Sequence, residues 1–191
     1  MKIRIDSYLP LTDVEGPGTR FCIWVQGCSI HCEGCANKHM WNPQEGTDFD
    51  VNEIVNLIEK YKDKIEGVTF LGGEPLEQID AVSYISKEVQ NMGLTVLVFT
   101  GYDYNEISAE EEIKELQKHI DILIDGKYEQ DKRDFSRPWV GSSNQKYYFF
   151  SNKYNDDIIK SYKNKFEIRI DRHNKISVNG MGKFEELSDI I

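Results

Sequence analysis

Three thiols stand within eight residues in Cys28-Ser-Ile-His-Cys32-Glu-Gly-Cys35, a spacing that lets all three turn inward around one compact metal centre. A 4Fe-4S cluster ordinarily takes four thiolates, so a three-cysteine loop leaves one iron without a protein ligand, and an open iron can bind a substrate or cofactor directly. The competing assignment is a zinc site completed by His31, His39 or Cys22. Zinc sites usually draw ligands from two separated pairs, and the chain has no second CxxC and no HxxxH. Cys22, the fourth cysteine, lies among Phe21, Ile23 and Val25 and reads as a small buried hydrophobe outside the cluster.

Other segments carry groups suited to holding a ligand. In Gly72-Gly-Glu-Pro75 two glycines permit close approach to the backbone, and Glu74 offers an acceptor for an ammonium group. Taken alone, it is equally an ordinary strand-to-helix turn with Pro75 at the first helical position. Glu15-Gly-Pro-Gly-Thr-Arg20 combines flexible glycines with an arginine available for an anion or carboxylate. Phe99-Thr100-Gly101-Tyr102 could bring a backbone edge or a stacking ring to a nucleoside, or place an aromatic in the core.

These segments need elements to position them. Residues 20–26 form an aromatic and β-branched run that predicts a strand, and Gly27 opens the cysteine loop. Asp50 is a candidate N-cap for a helix burying Val51, Ile54, Val55, Ile58 and Tyr61. Residues 68–71 predict a strand, Ile79, Val82, Ile85 and Val89 a helix, and residues 94–100 a strand. A third helix is expected from a capping box at Ser108, followed by a strand at 122–124. This alternation predicts an α/β fold with parallel strands and with function at their carboxyl ends.

The polar stretch 126–145 is long for a connection within a compact domain, and is expected to be functional or partner-facing. After it come a strand near 146–150, a short helix near 156–162 and a hairpin pairing 166–170 with 175–178. A length of 191 residues fits a single domain, with a core over 12–150 and an extension over 151–191. A net charge of −10 argues against a nucleic-acid partner. No apolar run is long enough to span a membrane, and a cytoplasmic location is expected.

The cysteine spacing resembles the cluster signature of radical S-adenosylmethionine enzymes. The resemblance implies an open, partial βα barrel with the cluster loop after its first strand. It also implies a 4Fe-4S cluster held by Cys28, Cys32 and Cys35, and S-adenosylmethionine as cofactor. By the same resemblance, Gly72, Gly73, Glu74 and Pro75 would meet the methionine end of the cofactor, and Thr100, Gly101 and Tyr102 would lie near it. The superfamily usually has an aromatic residue before the third cysteine, where this chain has Gly34.

With Gly34, and with Asn37 and Trp41 following, the loop is similar to that of the activating proteins of anaerobic ribonucleotide reductases. Asp125-Gly-Lys-Tyr128, Arg133-Asp134 and Gly141-Ser-Ser-Asn-Gln145 extend the likeness, which covers roughly 12–150. It implies an oxidoreductase that makes a glycyl radical on an anaerobic ribonucleoside-triphosphate reductase, with flavodoxin or ferredoxin as electron donor. Trp41 and the 126–145 stretch are candidate docking elements, and Trp41 is equally a candidate for the core. The alternatives are a radical enzyme acting on another glycyl radical enzyme, peptide or metabolite, and a nonenzymatic iron–sulfur or zinc protein.

Overall fold

A computed structural model of the chain describes residues 1–182; the last part of the expected extension, 183–191, lies outside the described residues. Strands β1 (Lys2–Thr12), β2 (Arg20–Val25), β3 (Thr47–Asp50), β4 (Gly67–Gly72), β5 (Thr95–Phe99), β6 (Ile122–Asp125) and β7 (Lys146–Phe149) make one sheet in the order β3-β1-β2-β4-β5-β6-β7. The four central strands β2, β4, β5 and β6 are parallel, and β1, β3 and β7 pair antiparallel at the flanks. The predicted parallel α/β core is present.

The parallel strands require crossovers, and helices supply them. Helix α1 (Val51–Glu59) starts at the predicted Asp50 cap, where a capping box with Glu53 satisfies backbone donors that the first turn leaves open. Val51, Ile54 and Ile58 are its buried face. Helix α2 (Ile79–Asn91) buries Val82, Ile85 and Val89. Together with Phe21, Ile23, Val68, Phe70, Val96 and Val98 these residues form the main core on one face of the sheet. A smaller cluster on Leu97, Ile122, Ile124, Trp139, Val140 and Ile159 forms a second core. Among the described residues no helix is long and apolar enough to cross a membrane.

Two expectations are corrected. The cysteine loop follows the second strand in the chain, because β1 precedes it; the β2 run is nevertheless the first of the parallel set. In β1, Ile3 and Ile5 are buried while Lys2 and Asp6 are exposed, and a register irregularity between Leu9 and Thr12 accommodates Pro10. The helix expected from Ser108, with Ile113 and Leu116 buried, begins later, at Glu111. Asp103 caps a short α3 (Tyr104–Ile107), Ser108 is that helix's C-cap, and α4 (Glu111–Gln117) begins after Glu110. Local capping by Asp103, whose carboxylate accepts from Asn105 N–H at 2.9 Å, wins over the sequence pattern.

Past β7, helix α5 (Asp156–Lys160) leads to a separate antiparallel pair, β8 (Phe166–Ile170) and β9 (Ile176–Gly180). Their turn is closed by the Asp171 carboxylate, which accepts from the His173 and Lys175 N–H groups, with Asn174 at φ 60°. The hairpin was legible in sequence and ends two residues later than expected.

Arg20 is not available to a ligand. It is fully buried, and its guanidinium donates to Thr69 Oγ1 at 3.1 Å, Thr95 Oγ1 at 2.5 Å and the Val68 carbonyl at 2.6 Å. It ties the starts of β2, β4 and β5 together, at the end of the strands opposite the cysteine loop.

Candidate metal centre

At the carboxyl ends of β2 and β4, hydrogen bonds join the cysteine loop to the glycine-rich turn. Gly73 N–H donates to the Val25 carbonyl and Glu74 N–H to the Gly27 carbonyl, both at 2.8 Å. The approach is so close that a Cβ on Gly73 would sit 2.2 Å from the Gly27 carbonyl oxygen, and Gly72 lies at φ 104°. The two glycines are therefore required by backbone geometry before any ligand is considered. Beyond this junction the cysteine loop is held at its far end by Gly27 N–H to the Met40 carbonyl and Cys28 N–H to the Trp41 carbonyl.

Cys28, Cys32 and Cys35 line one cavity of about 700 Å³. Across it stand Gly72, Gly73 and Glu74 from the end of β4, and Thr100 and Gly101 from the end of β5. All three thiols are free and half-buried. Backbone N–H groups point at them: Asn37 N–H donates to Cys35 Sγ at 3.3 Å, His31 and Ile30 amides approach Cys28, and the Tyr128 amide approaches Cys32. Burial pushes the Cys28 and Cys32 thiols up, and these amides act in the opposite sense, favouring sulfur that carries negative charge. Such donors suit thiolates bound to iron, whose potential depends on hydrogen bonds to sulfur.

The side chains named for the zinc alternative do not reach the three thiols. His31 stacks on Trp41 with ring centroids 4.4 Å apart, His39 lies 3.9 Å from Asp6, and neither lines the cavity. Cys22 is fully buried in β2, where desolvation raises its thiol well above the ordinary value. Among the described residues no three His, Cys, Asp or Glu side chains converge on one point as a single-ion site. A donor set of three thiols around a roomy cavity fits a polynuclear cluster with one metal left open.

Glu74 is almost wholly buried at the cavity wall, and its carboxylate accepts three hydrogen bonds from the protein. Oε1 accepts from Leu76 N–H at 2.9 Å and from the Thr100 hydroxyl at 2.8 Å, and Oε2 accepts from Gly101 N–H at 2.8 Å. Desolvation pushes its pKa up to about 7 against the pull of those three bonds. Glu74 thus clamps the β5 end to the β4 end. Pro75 is buried as the first residue of a 3₁₀ turn, Pro75–Gln78, as the turn reading of the motif has it. Tyr102 lies off this wall, in a second cavity with Leu76, Glu77 and Ile107.

Several wall residues carried no role in the sequence. Glu15 is buried in the wall, where burial raises its pKa although it accepts from Gly180 N–H at 2.7 Å. Tyr128, Gln130, Trp139 and Gly141 come from the 126–145 stretch, which forms a hydrogen-bonded cover. Gln145 organises that cover, its Oε1 accepting from Gly141 N–H and its Nε2 donating to the Gly126 carbonyl. Gly34 fits beneath it: φ is 74°, and a Cβ there would meet Gln130 Oε1 at 2.2 Å. In the sequence, Gly34, Tyr128, Gly141 and Gln145 stood out only through the resemblance, and Gln130 and Trp139 only through the length of the stretch. Trp41 is half-buried and packs the cysteine loop upon itself through His31, with Lys38 Nζ 5.7 Å from its ring.

Comparison with known proteins agrees with this arrangement. The family model described as a 4Fe-4S single cluster domain matches residues 14–148. The anaerobic ribonucleoside-triphosphate reductase-activating protein of Pasteurella multocida is 37% identical over 154 residues, which cover 76% of this chain and 96% of that protein. The protein of the same description from Escherichia coli is 37% identical over 147 residues, 73% of this chain and 94% of its own length. That of Enterobacteria phage T4 is 35% identical over 150 residues, 74% and 90%. With its three thiols at one cavity inside the matched region, the chain belongs to the 4Fe-4S single cluster domain family and to the family of anaerobic ribonucleoside-triphosphate reductase-activating proteins.

Proposed function

We propose that this chain is a radical S-adenosylmethionine enzyme that installs a glycyl radical on an anaerobic ribonucleoside-triphosphate reductase. The observation that carries this is the shared cavity, where Cys28, Cys32 and Cys35 face the glycine-rich ends of β4 and β5. When bound, the reduced cluster supplies the electron that cleaves S-adenosylmethionine to methionine and a 5′-deoxyadenosyl radical able to take a hydrogen atom from a glycine.

The residues of the chain divide this work. Cys28, Cys32 and Cys35 hold the cluster. Gly72, Gly73, Thr100 and Gly101 form the wall against which the cofactor lies, their small size and exposed backbone allowing close approach. Glu74 fixes that wall through its bonds to Thr100 and Gly101, with Pro75 starting the supporting turn and Tyr102 lining the neighbouring cavity. The cover from 126–145 excludes water from the cavity.

The sheet is read as the wall of an open, partial βα barrel. Its parallel strands support this, as do helices α1, α2 and α4, whose buried residues share a core on one face. The chain is read as one cytoplasmic domain with its extension docked on it, and flavodoxin or ferredoxin as electron donor.

The test is anaerobic reconstitution with iron and sulfide, dithionite reduction, and assay for 5′-deoxyadenosine and methionine. Reductase is then added, and the glycyl radical is followed by electron paramagnetic resonance. Cleavage together with a radical doublet on the reductase is expected. Cleavage without the doublet would move the activity to another substrate, and a loaded cluster that never cleaves the cofactor would leave an electron-transfer or structural protein.

A further inference from the structure

One short turn grips the chain on both sides of Cys28. That turn is Pro75–Gln78, with Glu74 as its N-cap. Before the cysteine, the Gln78 side-chain amide donates to the Gln26 carbonyl at 3.1 Å, and Glu74 N–H donates to the Gly27 carbonyl at 2.8 Å. After it, the Ser29 N–H and the Ser29 hydroxyl both donate to Glu77 Oε1, at 2.7 and 2.6 Å. The turn is itself fixed to β1, because Gln78 accepts from Arg4 N–H at 2.7 Å and donates to the Arg4 carbonyl at 2.9 Å. Cys28 is thus bracketed by one element of the folded frame. The bond from Cys35 N–H to the Cys32 carbonyl, at 3.2 Å, stays within the cysteine loop.

Ser29 opens the turn that wraps the Cys28 sulfur. The next two residues, Ile30 and His31, supply the amides that approach that sulfur. His31 sits at φ 50°, a left-handed conformation that a residue with a side chain keeps only where its surroundings impose it. The Cys28 N–H bond and the His31 ring stack both lead to Trp41, inside the same loop. The Ser29–Glu77 pair leads outside the loop, to the turn after β4, and it places two donors on one carboxylate oxygen, which makes both bonds charge-assisted. Glu77 is exposed and lies in the neighbouring cavity with Tyr102, so it meets the thiols only through Ser29.

We propose that Glu77 is a positioning residue for the cluster: by holding the amide and hydroxyl of Ser29 it presets Cys28, and the amides around its sulfur, in the orientation that iron requires. The inference rests on the assignment of Cys28, Cys32 and Cys35 to the cluster. Partners that orient a metal ligand strengthen retention because less freedom is lost when the metal binds. The role needs an acceptor at the reach of a glutamate side chain. It does not need the charge, so an amide of the same length serves and a shorter carboxylate does not.

The test compares Glu77→Ala, Glu77→Asp and Glu77→Gln with wild type after anaerobic reconstitution, following the rate at which a ferrous chelator extracts iron and the electron paramagnetic resonance spectrum of the reduced cluster. Extraction is about tenfold or more faster in Glu77→Ala and Glu77→Asp, with altered g-values, while Glu77→Gln matches wild type in both. Ser29→Ala, which keeps the amide donor, gives a smaller loss and adds nothing to Glu77→Ala. The circular dichroism of the fold is kept throughout, because Glu77 is exposed. Wild-type extraction and spectra in all three Glu77 variants would overturn the positioning role alone. So would fast extraction from Glu77→Gln with retention in Glu77→Asp, since charge and not reach would then matter. A wild-type protein that takes up no four-iron cluster overturns the cluster assignment and the role of Glu77 with it.

Discussion

The two sides of the cavity are held in different ways. At the ends of β4 and β5, Glu74 is buried and accepts three hydrogen bonds from its own fold, and Gly73 is in contact with backbone. Opposite, the three cysteines stand half-exposed, their loop fastened at its ends by Gly27, Cys28 and the Ser29–Glu77 bond at 2.7 Å. One side is set by folding, before any ligand arrives. The other has its ligand atoms in place with few internal bonds between them, so cluster binding contributes much of its order. A cofactor placed between them meets a rigid wall on one side and a metal on the other.

The largest break in this comparison is expected from Cys32→Ala. Iron retention and 5′-deoxyadenosine formation are abolished while the circular dichroism of the fold is kept, because the loop contributes little to the core. Cys22→Ser gives the opposite result, retaining the cluster and losing about 1–3 kcal/mol in denaturant unfolding through a buried hydroxyl. If Cys22→Ser lost the cluster while Cys32→Ala kept it, the assignment of ligands would be reversed.

Gly73→Ala strikes the rigid side. The added methyl meets the Gly27 carbonyl, which is backbone and cannot move aside cheaply, so a loss of about 1–3 kcal/mol is expected together with loss of cleavage. Denaturant midpoints and product assay on the same preparation check this; wild-type values for both would refute the close junction.

Glu74→Gln turns one oxygen into an NH₂ group, which would face the Gly101 N–H or the two donors at the other oxygen. A cost of about 1–3 kcal/mol follows, because the NH₂ leaves a buried donor without its acceptor. The folded pKa of about 7 lies above the ordinary 4.5, so the folded state binds the proton more tightly than the unfolded state does. The stability from that protonation is complete below 4.5 and is lost as pH rises through about 7. Wild-type stability, measured on cluster-free protein, should therefore fall relative to Glu74→Gln as pH rises from 4.5 to about 7. Parallel pH profiles would contradict the buried clamp.

The smallest effect is expected from Trp41→Ala, which removes the ring stacked on His31 and should cost about 0.5–1.5 kcal/mol. Faster hydrogen exchange in the cysteine loop of the cluster-free protein, with the wall residues unchanged, would sharpen the contrast between the two sides. Equal acceleration on both would dissolve it.

The sequence by itself marked the three candidate ligands and the central frame. Three thiols at close spacing need no tertiary partner to be recognised, and the helical period of α1 and α2, the apolar runs of β2, β4 and β5, and the Asp50 cap are local signals. Only the tertiary structure decided which polar residues face the cavity. Arg20, with the chemistry of an anion site, is buried where three strands begin, and Glu74, with that of an ammonium acceptor, also clamps two strand ends at the cavity wall. Glu15, Gln130 and Trp139 reach the wall from segments whose order depends on contacts distant in sequence. Residue type and spacing report what a side chain can do; the hydrogen bonds that use up its oxygens and protons form only when remote segments meet.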